Sequence, residues 1–178
     1  MINIQDCKRV KLSQDIDLKD FDCGDEDLND FYYNDAILYT RKLLATTFIY
    51  YFQDKPVAFV TYSNDKIVSD NKSTWNRVSR NIENDKRNRA IGYPAVKIGR
   101  LGVDINFKRQ NIGGQILDFT KAWFITNNKT GCRFLTLDAY NKENVLSFYQ
   151  KNKFKFLSTK ETQNSTRLMF YDLIHLVD

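Results

Sequence analysis

The fold is decided by the stretch Lys108-Arg109-Gln110-Asn111-Ile112-Gly113-Gly114, which joins an apolar extended run at residues 96–103 to a helix-periodic run. A turn that leads from a strand into a helix directs several backbone N–H groups at one point, and the helix N-terminus adds about half a positive charge there. Lys108 and Arg109 add two further charges. The stretch is therefore a candidate receptor for a pyrophosphate.

The turn alone does not settle the matter, because an ordinary helix-entry turn can contain the same residues. Its spacing is neither the Gly-x-x-x-x-Gly-Lys-Ser/Thr of a P-loop nor the Gly-x-Gly-x-x-Gly of a dinucleotide site. Three further blocks accompany it: RLGVD at 100–104, FLTLDAYN at 134–141 and SFYQKNKF at 147–154. Taken together, the four blocks resemble the GNAT superfamily of acetyl-CoA-dependent N-acetyltransferases.

The chain departs from the family pattern at identifiable places. The family's phosphate loop is Gln/Arg-x-x-Gly-x-Gly/Ala, and here Lys108, Asn111 and Gly113 occupy the three defined positions. Asn is the next best residue after Gly for a left-handed backbone, so the loop conformation is expected to survive. In the last block, Gln150 and Lys153 replace the family's acid and glycine.

The resemblance implies an α/β fold with a GNAT-like mixed, mostly antiparallel sheet, a central splayed parallel strand pair and helices on both faces. It implies one N-acetyltransferase domain over residues 1–178, with acetyl-CoA as the acetyl donor. Cofactor contacts are expected from the strand residues Leu101, Gly102 and Val103, from the loop residues Lys108, Arg109, Gln110, Asn111, Ile112, Gly113 and Gly114, and from Asn141 or Asn144. Asn141 is also expected to cap a helix.

The resemblance assigns Tyr149 as the catalytic acid, since a phenol with a pKa of about 10 can protonate a thiolate leaving group. Packing on the inner face of a helix is the alternative role for this side chain. No general base is evident: His175 is expected at the surface, and Asp104 and Asp138 are expected to bind a loop amide or a surface cation. An α-amine is neutral far more often at pH 7.4 than a lysine side chain, so an enzyme without a strong base suits an α-amine acceptor.

A narrower similarity, carried by FDCGDEDL at 21–28 and PAVKIGRL at 94–101, is to GNAT toxins that acetylate the α-amine of aminoacyl-tRNA. Residues 66–97 hold eight basic and three acidic residues, which accounts for the whole net charge of +5. The segment is either a solvated surface insertion or a surface for cofactor or RNA phosphates. Three functions stay open: an N-acetyltransferase with an unknown amine acceptor, its tRNA-directed toxin form, and a non-catalytic acyl-CoA-binding or RNA-binding module.

The composition of the 178 residues is that of an ordinary globular protein. No run of about 20 apolar residues is present, and the N-terminus does not resemble a signal peptide, so no membrane partner is expected. Three widely spaced cysteines and one histidine argue against a zinc site and favour a cytoplasmic location. The sequence gives neither the oligomeric state nor the acceptor amine, although many members of the family that it resembles pair as homodimers.

Periodicity predicts the elements around the motifs. A helix capped by Asp25 is expected to bury a stripe of residues, Leu28, Tyr32, Ala36, Tyr39 and Leu43. Strands are expected at 8–12, 46–52, 57–63, 96–103, 134–139, 154–157 and 166–173, with a four-residue connection at 53–56. Gly99 and Gly102 indicate a bulge or a close backbone approach. A short helix is expected at 74–81, and a second stripe at Ile112, Ile116, Phe119 and Trp123.

Overall fold

The computed structural model describes residues 1–68, 74, 76, 78, 82, 92–128, 131–158 and 162–177. The short helix expected at 74–81 lies mostly outside these residues. So do six of the eight cations in the basic segment at 66–97, namely Lys72, Arg77, Arg80, Lys86, Arg87 and Arg89.

Seven strands and four α-helices are formed by the described residues. The strands are β1 (Lys8–Lys11), β2 (Thr46–Phe52), β3 (Lys55–Ile67), β4 (Tyr93–Val103), β5 (Phe134–Tyr140), β6 (Lys155–Phe156) and β7 (Thr166–Asp172). The helices are α1 (Glu26–Asp30), α2 (Ala36–Arg41), α3 (Ile112–Ile125) and α4 (Glu143–Lys151). Short 3-10 segments occupy Ile4–Asp6, Ile105–Phe107, Thr126–Asn128 and Leu173–Leu176.

The chain divides into two compact units, and β3, β4 and α3 each run through both. The first unit holds Met1–Ser63 and Ile98–Thr120, and the second holds Asn64–Lys97 and Lys121–Asp178. The hydrogen-bonded strand order is β1-β2-β3-β4 in the first unit and β4-β5-β7-β6 in the second. Each unit is thus built from two discontinuous parts of the chain.

The core of the first unit is rich in aromatic rings. The Phe59 side chain on β3 packs against Phe21, Phe31 and Tyr32, with ring centroids 5.4 to 6.2 Å apart. Asp25 caps α1 as expected, because its carboxylate accepts the N–H of Leu28 at 3.1 Å. The strands β1, β2 and β3 pair antiparallel in sequence order.

The helical stripe predicted over residues 28–43 is only partly correct. Tyr32 and Ala36 are fully buried, but Leu43 is 92 % exposed and has a φ of 57° beyond the end of α2. A π-helical segment, Phe31–Asp35, separates α1 from α2. Since a π turn contains an extra residue, it rotates the following residues away from a 3.6-residue stripe. Phe31, which the stripe omits, is also buried.

The β2–β3 hairpin also differs from its prediction. The connection is two residues long, because β3 begins at Lys55 and Lys55 pairs with Phe52. Gln53 and Asp54 both have positive φ, 47° and 61°, as a tight hairpin turn requires. The four-residue connection expected at 53–56 is therefore wrong.

The second unit contains the parallel strand pair. β4 and β5 pair in parallel, while β5–β7 and β6–β7 pair antiparallel. The parallel ladder has three residue pairs, from Ala95↔Phe134 to Lys97↔Thr136, although β5 continues to Tyr140. The predicted mixed α/β fold with a central parallel pair is confirmed.

Candidate active site

The basic turn begins directly after a 3-10 segment at Ile105–Phe107 and ends at the first residue of α3. Arg109 and Asn111 have φ values of 64° and 58°, so both lie in the left-handed region. Asn111 was expected to replace the family's first glycine in this conformation, and that prediction is confirmed. The Asn111 carbonyl then accepts the N–H of Gln115 at 3.0 Å, which starts the helix.

The first turn of α3 directs its amides into this bend. The N–H groups of Ile112, Gly113 and Gly114 have no acceptor within the helix, because the first four N–H groups of any α-helix lack one. Gly114 is buried beneath the Asn111 side chain, and a Cβ there would overlap the Asn111 amide oxygen. Left-handed residues, first-turn amides without an acceptor inside the helix and a helix N-terminus together are an arrangement that can bind an anion.

Two glutamine side chains connect the loop and the start of α3 to the N-terminal segment by hydrogen bonds. Gln110 Oε1 accepts the N–H of Ile2 at 2.9 Å, and Gln115 Oε1 accepts the N–H of Ile4 at 2.8 Å. Gln115 Nε2 also donates to the carbonyl of Ile2 at 3.2 Å. Gln110 thus supports the turn through the N-terminal segment, whereas Lys108, Arg109 and Asn111 are exposed to solvent.

The strand before the loop, Leu101 to Val103, is shaped by the core. A Cβ on Gly102 would lie 2.6 Å from Cε1 of Phe59 and 3.3 Å from Cζ of Phe21. Position 102 therefore needs glycine because two aromatic rings cover it. This packing accounts for glycine at position 102, while the expectation that the Gly102 backbone contacts a ligand stays a prediction.

Asp104, which follows the strand, is a structural carboxylate. It is 5 % exposed, and its two oxygens accept the N–H groups of Asp22 and Asn106 and the Asn106 side-chain amide at 2.9 to 3.0 Å. The prediction that Asp104 binds loop amides is confirmed. These bonds join the segment that precedes the basic turn to the backbone at Asp22.

Tyr149 lies on α4 in the second unit and is partly buried among rings. Phe148 and Phe154 contact it edge to face, with centroids 5.0 and 5.9 Å away. Burial raises the pKa of Tyr149 to about 12, so the phenol is protonated at physiological pH. Within the described residues its hydroxyl makes no hydrogen bond. A protonated, uncommitted hydroxyl is what a proton donor requires.

Two residues after α4, Lys153 occupies the position of the glycine in the family's last block. Lys153 has a φ of 67°, a left-handed conformation. Its backbone N–H donates to the carbonyl of Gln150 at 2.8 Å, and the next N–H, of Phe154, donates to Tyr149. This turn positions Phe154 against the Tyr149 ring.

Asn141 has a different role from the cap that was expected. The N-cap of α4 is Lys142, and the Asn141 amide donates to the carbonyls of Thr162 and Asn164 at 2.9 and 2.8 Å. The capping prediction is wrong because the Asn141 amide ties the end of β5 to the segment before β7. Asn144 is exposed in the first turn of α4.

Four polar residues that the sequence analysis did not assemble lie together on β3, β4 and β5. Thr136 donates a short hydrogen bond to Asp65 Oδ2, and Lys97 forms an ion pair with Asp138 at 2.5 Å. The cation expected for Asp138 is therefore Lys97. A signal was present, because Thr136 and Asp138 are the two polar residues of an otherwise apolar strand. His175, in contrast, is exposed on a 3-10 segment, as predicted.

Comparison with solved structures gives the fold but no family assignment. No protein-family model matches the chain, and no curated protein does. AtaT complexed with acetyl-methionyl-tRNAfMet is similar over 97 % of this chain and 98 % of its own, with 20 % identity and a TM-score of 0.74. AtaTR bound with acetyl-CoA is similar over 98 % and 99 %, with 20 % identity and a TM-score of 0.69. A Tyr-to-Phe mutant of KacT is similar over 88 % of both chains, with 19 % identity and a TM-score of 0.70. The chain has the fold of these proteins.

Proposed function

We propose that this chain is an acetyl-CoA-dependent N-acetyltransferase. The observation that carries the proposal is the backbone of the basic turn: Arg109 and Asn111 are left-handed, and α3 begins immediately after them. In this arrangement the pyrophosphate of acetyl-CoA accepts hydrogen bonds from the first-turn amides, and Lys108 and Arg109 supply positive charge. Two AtaT structures with acetyl-CoA support the choice of donor.

The proposed reaction gives each candidate residue a role. The backbone groups of Leu101, Gly102 and Val103 bind the pantetheine amides, and the loop at 108–114 binds the diphosphate. Tyr149 donates a proton to the sulfur as the carbon–sulfur bond breaks. The pKa of about 12 keeps that proton in place until the thiolate develops. Asn144 stays a candidate cofactor contact, since its side chain is exposed.

For the acceptor, we propose the α-amine of aminoacyl-tRNA. An α-amine loses its proton near neutral pH without a strong base. The structure of AtaT with acetyl-methionyl-tRNAfMet supports this acceptor class. The basic excess of residues 66–97 supplies charge of the sign that a tRNA backbone attracts.

Asn111 and Lys153, in place of two family glycines, slightly favour a binding-only module on sequence grounds. Both residues have positive φ, the region that glycine adopts most readily, so a backbone suited to glycine is kept at both positions. This observation favours an active enzyme.

The direct test is transfer of a radiolabelled acetyl group from acetyl-CoA to a mixture of charged tRNAs. Label in the aminoacyl group, and none in uncharged tRNA, is the expected result. Titration calorimetry with acetyl-CoA tests the donor site separately. No heat at millimolar acetyl-CoA would contradict the transferase assignment, while heat without transfer would support a binding module. Growth arrest on expression, relieved by Tyr149→Phe, would support the toxin form.

A further inference from the structure

The second unit has a polar cluster, formed by Asp65, Lys97, Thr136 and Asp138, that the proposed acid chemistry does not use. Asp65 accepts hydrogen bonds from the Thr136 hydroxyl and, at 2.8 Å, from the Lys66 N–H. Lys97 and Asp138 form an ion pair at 2.5 Å, with side chains 34 % and 42 % exposed. The cluster is accessible to a ligand.

The cluster lies where the parallel ladder ends. Lys97 and Thr136 are its last residue pair, and Asp138 follows on the unpaired continuation of β5. Beyond this pair the backbone groups of β5 that face β4 are released from the parallel ladder. This released edge of β5 offers backbone groups for binding the thioester of the proposed reaction.

The cluster and Tyr149 are on opposite faces of β5. Tyr149 contacts Phe154, and Phe154 contacts Tyr171, the register partner of Leu135. Paired residues on neighbouring strands share a face, and successive residues alternate between faces. Thr136 and Asp138 therefore lie on the face opposite Tyr149.

Among the described residues, the charges of the cluster leave one carboxylate without a paired cation. Lys97 neutralises Asp138 through their ion pair. Asp65 is bound only by two neutral donors, and no cation pairs with it among the residues that the structure describes. Two carboxylates and one ammonium give a net charge of −1, which matches one ammonium group of an acceptor.

We propose that Asp65 is the catalytic base of the reaction and binds the acceptor amine, with Thr136 as its positioning residue. This inference rests on the proposed acetyltransferase function. The Asp65 carboxylate binds the ammonium and takes one proton from its nitrogen. The nitrogen then forms a bond to the thioester carbon, and the carbon–sulfur bond breaks with its electron pair on sulfur. Tyr149 protonates the sulfur, and the new amide nitrogen loses its second proton to solvent. The Tyr149 phenolate then takes a proton from solvent, and Asp65 loses its proton to solvent.

The test is the pH dependence of kcat/KM for acetylation of charged tRNA by the wild type and Asp65→Asn. The variant depends on amine that is already neutral, and that fraction falls roughly 30- to 50-fold between pH 8 and pH 6 for an α-amine. The wild type accepts the ammonium form and should change little. We expect the deficit of Asp65→Asn to be at least about tenfold larger at pH 6 than at pH 8.

Controls separate this role from a structural one. Asp65→Glu should recover part of the activity at pH 6, and Asp15→Asn, which removes an exposed carboxylate from the first unit, should follow the wild type. If Asp65→Asn does not fold, Thr136→Val removes the positioning hydrogen bond and should show the same pH trend in weaker form.

The outcomes are distinguishable from a failure of the proposed function. A deficit that is constant from pH 6 to pH 8 would assign Asp65 a structural role and overturn the inference. Equal activity of wild type and Asp65→Asn would do the same, while leaving the transferase intact. Acetyl-CoA binding without transfer by the wild type would instead contradict the proposed function.

Discussion

The Asn111 side chain lies over the Cα atom of Gly114, so that a Cβ at position 114 would overlap the Asn111 amide oxygen. The residue that replaces a family glycine is therefore coupled to the glycine that follows it one turn into α3. A change at one position is therefore expected to alter the effect of a change at the other.

This coupling predicts a non-additive double-mutant cycle. Gly114→Ala should be less favourable in the wild type than in Asn111→Gly, where Ala gains helix propensity of about 0.5–1 kcal/mol. We expect an interaction energy of at least about 0.5 kcal/mol in urea unfolding of the four proteins. Additive changes would show that the Asn111 side chain moves away without cost.

Lys153→Gly should stabilise the chain. A left-handed conformation costs a non-glycine residue about 1–2 kcal/mol, and glycine loses about 0.5–1 kcal/mol to unfolded-state entropy. The net gain of about 0.5–1 kcal/mol should raise the melting temperature by roughly 1–4 °C. Lys151→Gly is the matched control, because Lys151 is helical and exposed, and its replacement should destabilise. A fall in both melting temperatures would contradict the strain at Lys153.

Tyr149→Phe should reduce kcat by about 10²-fold or more, because it removes the proton donor and keeps the ring packing against Phe154. Acetyl-CoA affinity and melting temperature should be close to those of the wild type. Tyr39→Phe, a change on the surface of α2, serves as the control. Full turnover by Tyr149→Phe would remove Tyr149 from the mechanism.

Alkaline pH should weaken the fold through its buried tyrosines. Burial raises the pKa of Tyr50 and Tyr149 to about 12, and raises those of Tyr32 and Tyr62 further. Since the folded pKa exceeds the unfolded value of about 10, the stability is complete below pH 10 and is lost as the pH rises towards 12. A shift of two units corresponds to about 3 kcal/mol for one fully titrated group.

Urea midpoints at pH 8, 10 and 11.5, followed together with phenolate absorbance, would measure this loss. Tyr149→Phe should lose less stability than the wild type over the same interval, because it has one buried phenol fewer. An unchanged midpoint at pH 11.5 would show that these hydroxyls reach solvent in the folded state.

Local sequence signals predicted most of the regular elements. The β-branched and aromatic run at Thr46–Phe52 forms β2 with the expected bounds, and Asp25 caps α1. Helical spacing placed Ile112 and Ile116 in the core, both at most 1 % exposed. These signals succeed because each depends on residues only a few positions apart.

The errors come from features that depend on distant residues. The π-helical segment at Phe31–Asp35 has no local sequence signature, and the predicted stripe fails at Leu43 because α2 ends at Arg41. Glycine is needed at position 102 because Phe59, 43 residues earlier, covers it, and this contact has no local signal. The Asp65–Thr136 bond joins residues 71 positions apart and becomes visible only in the folded sheet.

The left-handed backbones of Asn111 and Lys153 have a consequence for how such proteins are found. A search that requires glycine at these two positions scores residue identity. The two turns need only a positive φ, which asparagine and lysine can adopt at a cost of about 1–2 kcal/mol. The positive φ can therefore be kept when glycine is replaced. A search for the backbone torsion angles of these turns would identify chains in which the glycines of the sequence motif are replaced.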